Sequence, residues 1–130
     1  MCWINNMATP IVLKKPLKVY KVGKSTSLGS FISAYRNCIY NKYNIMPTVE
    51  INPEFTKYYT FSSLNKCCMD NLFCIYEGYH SYLTKKMAKH RRDLYEEIGI
   101  FEIPSGATIY VSYRYEEVVS TDIRYLGLLE

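Results

Sequence analysis

At 130 residues, with 48% apolar and 22% charged side chains, the chain has the composition of one ordinary globular domain and not of a disordered segment. Its net charge of +4 leans towards anionic partners but falls short of a dedicated nucleic-acid binder. No apolar run is long enough to span a bilayer, and the start MCWINNMATPIVLKKPLK lacks the layout of an export signal, so a cytoplasmic protein with no membrane partner is expected.

Residues 1–16 read as a lead-in, with Ile11-Val12-Leu13 between Pro10 and Pro16. Loss of Met1 would leave Cys2 with both a thiol and an α-amine, a known form of activated nucleophile; a small buried side chain is the plainer reading. Leu17–Val22 (LKVYKV) alternates with period two and predicts a half-buried strand. Gly23–Gly29 (GKSTSLG) predicts a turn, because the phosphate-binding order GxxxxGK[ST] is absent. In Ser30–Tyr40 the spacing of Phe31, Ile32, Tyr35, Cys38 and Ile39 fits a helical stripe, while the residue types after Arg36 suit a strand equally. Ile45–Ile51, carrying Pro47, predicts a short edge strand, and Phe55–Phe61 another strand. Ser62–Asp70 is a polar turn whose adjacent Cys67 and Cys68 suit neither a bridge to each other nor a tetrahedral metal. The five cysteines, at 2, 38, 67, 68 and 74, contain no Cys-x-x-Cys pair and are expected to be reduced thiols; no metal site is expected.

Leu72–Tyr76 predicts a strand that runs into the corner Glu77-Gly78-Tyr79-His80-Ser81-Tyr82, where Gly78 turns the chain so that Tyr79 and His80 are presented. Ser81 or Thr84 can cap the next element. From Thr84 to Ile98 the positions Met87, Leu94 and Ile98, with the stem of Arg91, form a stripe that predicts an amphipathic helix stopped by Gly99. Ile100–Ile103, Thr108–Tyr113 and Val118–Leu129 predict strands, with Pro104-Ser105-Gly106 as a turn. The expected fold class is α+β: a single small domain over residues 1–130, with an antiparallel or mixed sheet and one main helix at about 84–98 packed on it.

Three groups of residues carry candidate chemistry. His80 fits a general base or a donor to a ribose or phosphate oxygen, and equally a turn histidine bonded to local backbone. Glu116 and Glu117, at the lip of the closing strands, fit an acid that polarises a ribose hydroxyl, or exposed charges that keep a sheet edge soluble. The basic helix positions Lys85, Lys86, Lys89, Arg91 and Arg92 fit a phosphate-binding face or a solvated one. The 14 tyrosines can stack on bases or fill the core. The candidate binding set is Tyr79, His80, Lys85, Lys89 and Arg92; the candidate catalytic set is Glu117, Glu116 and His80.

The Met-Cys start, LKVYKV, EGYHSY, EIPSGATIYV and EEVVSTDIRYL together resemble small proteins of gut phages and bacteria that share a G-[FY]-H-S-[FY] corner and an I-P-x-G turn. That resemblance, which covers most of the chain, implies a non-catalytic accessory protein with no cofactor. Such a protein would bind a host macromolecule or a nucleotide-like ligand and interfere with host defence or another host process. Nucleic acid is a less favoured partner, and the oligomeric state is open. The tail Glu116-Glu117-Val118-Val119 with Asp122, Ile123 and Tyr125-Leu126 is also similar to the last strand of ADP-ribosyltransferases. In that family a Glu opening the strand contacts the nicotinamide ribose of NAD, which would make Glu116 or Glu117 the acid. Lys18–Val22 offers Tyr20 and Lys21 where the family has Arg or His, and only Ser25-Thr26-Ser27 matches its Ser-Thr-Ser element. The alternative expectation is therefore an ADP-ribosyltransferase-like enzyme using NAD, with Glu117 and His80 at its site.

Overall fold

The LKVYKV run becomes the middle of the fold. It lies in β3 (Leu17–Ser25), whose residues 19–23 are all buried, so the strand is covered on both faces and not on one as its alternation suggested. A computed structural model of the chain describes residues 3–5, 10–35, 37–52, 54–55, 73–75, 77–112 and 116–130. Within these, nearly all the regular structure is antiparallel sheet, and the helix is short.

The larger sheet is built around β3. On one side β3 pairs along Leu17–Gly23 with β9 (Glu97–Ile103), which in turn pairs with β12 (Arg124–Leu128). On the other side stand β8 (Tyr79–Tyr82), β11 (Glu117–Ser120), β10 (Thr108–Val111) and the edge strand β2 (Ile11–Val12). The far end of β3 pairs with β4 (Phe31–Ser33), which forms a hairpin with β5 (Ile39–Tyr40). The stretch predicted as a helical stripe is therefore two strands, as its aromatic and β-branched content allowed. A second sheet joins β1 (Trp3–Asn5), β7 (Phe73–Ile75) and β6 (Glu54–Phe55). Most of the predicted strand 55–61, all of the turn 62–70 and Cys2 lie outside the described residues.

Ile45–Ile51 does not become a strand of its own. It runs along the start of β12 and the residues before it: the amides of Met46 and Val49 donate to the carbonyls of Ile123 and Thr121 at 2.9 Å each. The polypeptide here covers the main core cluster, which includes Val19, Phe31, Tyr40, Phe101, Ile103, Val118, Ile123 and Tyr125. Phe31, Phe101 and Tyr125 pack as a ring trio with centroids 5.1–5.5 Å apart, within the usual range for aromatic pairs.

The helix is the largest departure from expectation. α1 spans Lys85–Arg91 only, capped by Thr84, whose hydroxyl accepts from the Met87 amide at 3.2 Å. It ends at Arg92, where ψ opens to 134°. The predicted stripe fails at Leu94, which is 86% exposed; Ala88 is the helix residue that is buried against Tyr20, Val22 and Ile98. Glu97–Ile103 (EIGIFEI) is instead a strand buried on both faces, with Ile98 against α1 and Phe101 and Ile103 in the main core. Gly99 is no helix stop. It sits inside β9, where an added Cβ would come within 2.8 Å of Phe101 Cε1 and 3.0 Å of Phe31 Cε2. The strand is glycine there because two rings lie against its backbone.

Candidate functional site: a cleft where two strands part

β3 and β8 share one bridge, between Tyr20 and Tyr82. One residue beyond it, where Lys21 and Ser81 would be the next partners, the strands separate. The Val22 carbonyl is taken by the amide of Ala34 at 2.9 Å, so this edge of β3 is handed to the β4–β5 hairpin. The gap is a cleft of about 250 Å³, lined among others by Lys21, Ser33, Tyr35, His80, Tyr82 and Glu117.

Alternation along the strands decides which side chain reaches the cleft from which face. Tyr20 and Val22 face α1. Lys21 therefore leaves β3 on the opposite face, with Val19, towards Tyr40 and Phe101. Its Nζ lies 5.3 Å from the Tyr40 centroid and 5.6 Å from that of Phe101, and it donates a hydrogen bond to the His80 carbonyl. Among the described residues no carboxylate stands within ion-pair distance of it. Burial strips water from the ammonium and lowers its pKa from 10.5 to about 7, against a smaller opposing effect of Cys38. Ser81 leaves β8 on the same face as Lys21. It is 4% exposed, and its hydroxyl has no hydrogen-bond partner among the described residues.

The α1 side of the cleft has a different character. Glu117 is the cross-strand neighbour of Tyr82. Burial raises the pKa of the Glu117 carboxyl; Arg91 pulls it down, and Glu116 pushes it up again. The Tyr82 hydroxyl is likewise raised by burial and then by Glu117. Arg91, from the last turn of α1, lines the cleft and lies 4.0 Å from Glu116. The Ser112 hydroxyl accepts from the amides of Glu116 and Glu117, at 3.2 and 3.1 Å, and so fixes the entry to β11. Across the cleft the Tyr35 ring packs on the His80 ring, centroids 4.8 Å apart. The Ser33 hydroxyl, donating to the Tyr35 carbonyl at 2.7 Å, holds that turn.

The predicted residues thus separate into two groups. His80 and Glu117 come together in the cleft. Glu116 stands beside Arg91 and is not part of the lining. Tyr79 is not presented: it is 8% exposed, and its hydroxyl donates to the Pro47 carbonyl at 2.5 Å. Gly78 does turn the chain, with φ +90°, but the turn sends Tyr79 into the core and His80 towards the cleft. Lys85, Lys89 and Arg92 are exposed on α1 and its end, outside the cleft lining.

Lys21, Ser33, Tyr35 and Ser81 were not among the predicted site residues. For Lys21 a signal was present: in LKVYKV it keeps step with Leu17 and Val19, so strict period two already places a lysine on the apolar face. For the serines and Tyr35 there was none, because only the parting of β3 from β8 brings them together. Among the described residues no three His, Cys, Asp or Glu side chains are grouped as a metal site, and no helix is long and apolar enough to cross a membrane. In comparisons with known proteins, no family model, no curated protein and no solved structure matches the chain.

Proposed function

We propose that the chain is a small-ligand binding protein whose cleft takes a nucleotide-like ligand. The observation that carries this reading is the parting of β3 from β8, which gathers two tyrosines, a histidine, three carboxyls and two cations around one opening. A pocket with aromatic walls and a few polar groups at its ends suits a base, a ribose and an anionic group in one molecule. Tyr35 and Tyr82 supply ring surface, Glu117 an acceptor for a ribose hydroxyl, and Lys21 and Arg91 positive charge. At about 250 Å³ the cleft falls just under the roughly 300–1,000 Å³ of drug-sized pockets, so it suits a mononucleotide, and a dinucleotide would project from it.

Calorimetry with adenosine, AMP and NAD tests the reading. AMP is expected to bind in the micromolar range, and Tyr35→Ala to weaken it roughly tenfold, in keeping with about 1–3 kcal/mol per stacked base. Absence of binding by every nucleoside and nucleotide tried would reject it.

A second reading, an ADP-ribosyltransferase-like enzyme using NAD, draws on one observation: Glu117 shares the cleft with His80 and Lys21. It predicts nicotinamide release from NAD that disappears in Glu117→Ala and survives in Glu116→Ala. A protein that binds nucleotides without releasing nicotinamide would leave the binding reading alone.

A further inference from the structure

We propose that the Lys21–Ser81 end of the cleft is an anion subsite, shaped to receive the phosphate or carboxylate of a bound ligand. This deepens the nucleotide reading and rests on the same cleft. Lys21 and Ser81 each stand one residue past the last β3–β8 bridge, on the same face, and would pair if the ladder continued. Both residues line the cleft that opens where it stops.

Each has an unmet need. Lys21 is 4% exposed and has no acidic partner among the described residues. It satisfies one of its hydrogens at the His80 carbonyl and is otherwise held against the faces of Tyr40 and Phe101. A buried cation of this kind lacks the counter-ion that normally offsets its desolvation. Ser81 has a buried hydroxyl with no partner among the described residues, which also carries a cost unless something fills it. An anion placed between them supplies the counter-ion and the acceptor together.

The other ionisable groups around the cleft are compatible with this placement. Cys38 and Tyr40 approach Lys21 from the β4–β5 hairpin, and His80 contributes its carbonyl. Burial raises the pKa of the Tyr40 hydroxyl, so it stays neutral. Tyr35 packs on the His80 ring. The acids of the lining, Asp93, Glu96 and Glu117, belong with Arg91 to the α1 side of the cleft; Glu117 shares the face of Tyr82 and Tyr20, opposite that of Lys21.

A proton linkage follows. An anion beside Lys21 favours the ammonium and raises its pKa above the ligand-free value of about 7. Binding above pH 7 therefore takes up a proton, and affinity for an anionic ligand falls by up to roughly tenfold per pH unit until the bound-state pKa is reached. A phosphate monoester loses its own second proton near pH 6, so from pH 7 to 9 AMP itself adds little to the proton exchange.

The experiment is calorimetry of the full chain with AMP, adenosine, inorganic phosphate and acetate, at pH 7, 8 and 9, in buffers of different ionisation heat. AMP is expected to bind tighter than adenosine by tenfold or more at pH 7, with close to one proton taken up at pH 8. Lys21→Met should abolish both the AMP advantage over adenosine and the proton uptake. Should that variant not fold, the Cε signal of Lys21 in wild-type protein labelled with 13C-lysine replaces it, with a titration midpoint that moves up on adding phosphate. Phosphate binding with proton uptake, but no nucleoside binding, keeps the subsite and discards the nucleotide. Acetate acting in place of phosphate identifies a carboxylate ligand. Equal affinity for AMP and adenosine, or no anion that shifts the Lys21 titration, overturns the proposal.

Discussion

Lys21 and His80, 59 residues apart in the chain, are joined across the split in the sheet by a hydrogen bond from the Lys21 amine to the His80 carbonyl. It is a direct link across the gap where the ladder fails. It also fixes a lysine in the core, whose pKa burial lowers from 10.5 to about 7. In the unfolded chain the same side chain keeps its ordinary proton affinity. Between pH 7 and 10 the unfolded state therefore binds more protons than the folded state, and stability rises with pH. At roughly 1.4 kcal/mol per tenfold change in proton affinity, the full span is several kcal/mol. Above pH 10 the sign reverses: Tyr40, Tyr79, Tyr82 and Tyr125 hold their protons more tightly when folded, and stability falls as they are forced to ionise. Urea denaturation at pH 6, 7, 8 and 9 should show the rise in wild type and a flat profile in Lys21→Met. A wild-type curve that is level from 7 to 9 would count against a buried amine.

The edge of β3 that the split exposes is kept by Gly23. An added Cβ would lie 2.1 Å from the Ile32 carbonyl oxygen and 2.9 Å from both Phe31 Cε1 and Ser33 Cα. Two of those contacts are backbone, which cannot swing aside. Gly23→Ala is expected to cost about 3 kcal/mol, at the upper end of overpacking effects, by prising β4 from β3. Because Ser33 and Tyr35 follow from β4, ligand binding should suffer with it. A denaturation midpoint within error of wild type would show that the hairpin shifts freely.

The contrast between what could and could not be read from the residues has a physical basis. β-branched and aromatic runs such as TIYV and EVVS, set off by turn signals, became β10 and β11, because residue type and punctuation are local properties. The helix was overextended because Met87, Leu94 and Ile98 satisfy a 3.6-residue spacing, yet the helix ends at Arg91 and a strand already begins at Glu97. Pairing with seven residues of β3 decided for the strand. Glu117 and His80 could be picked out as chemistry-bearing residues, each at a strand end. Ser81 and Tyr35 could not, since they meet Lys21 only through a tertiary event, the divergence of two strands.

Glu117 offers a test of the α1 side of the cleft. Its carboxyl is half-buried and its pKa is raised by that burial, so ionisation at neutral pH costs the folded state. A raised folded pKa means stability present in acid and lost as pH rises through it. Glu117→Gln removes the charge and keeps the shape, so the variant should be slightly more stable at pH 7, by less than about 1 kcal/mol, and no different at pH 4. Arg91 tempers the gain, because its attraction to the carboxylate is lost. Destabilisation at pH 7 would mean that the Arg91 interaction outweighs burial.

Tyr79 and His80 are adjacent in β8 and point to opposite faces, which gives a paired prediction. The Tyr79 hydroxyl bonds the Pro47 carbonyl at 2.5 Å and ties β8 to the segment that covers the core. Tyr79→Phe keeps the ring among its apolar neighbours and leaves that carbonyl without its donor, a loss of about 1 kcal/mol. It should lower the denaturation midpoint and leave nucleotide affinity unchanged. His80→Ala removes the surface on which Tyr35 rests and should do the reverse, weakening AMP binding several-fold with a small effect on stability. If Tyr79→Phe abolished binding and His80→Ala did not, the ligand would have to sit against Tyr79 rather than beside Tyr35 and His80.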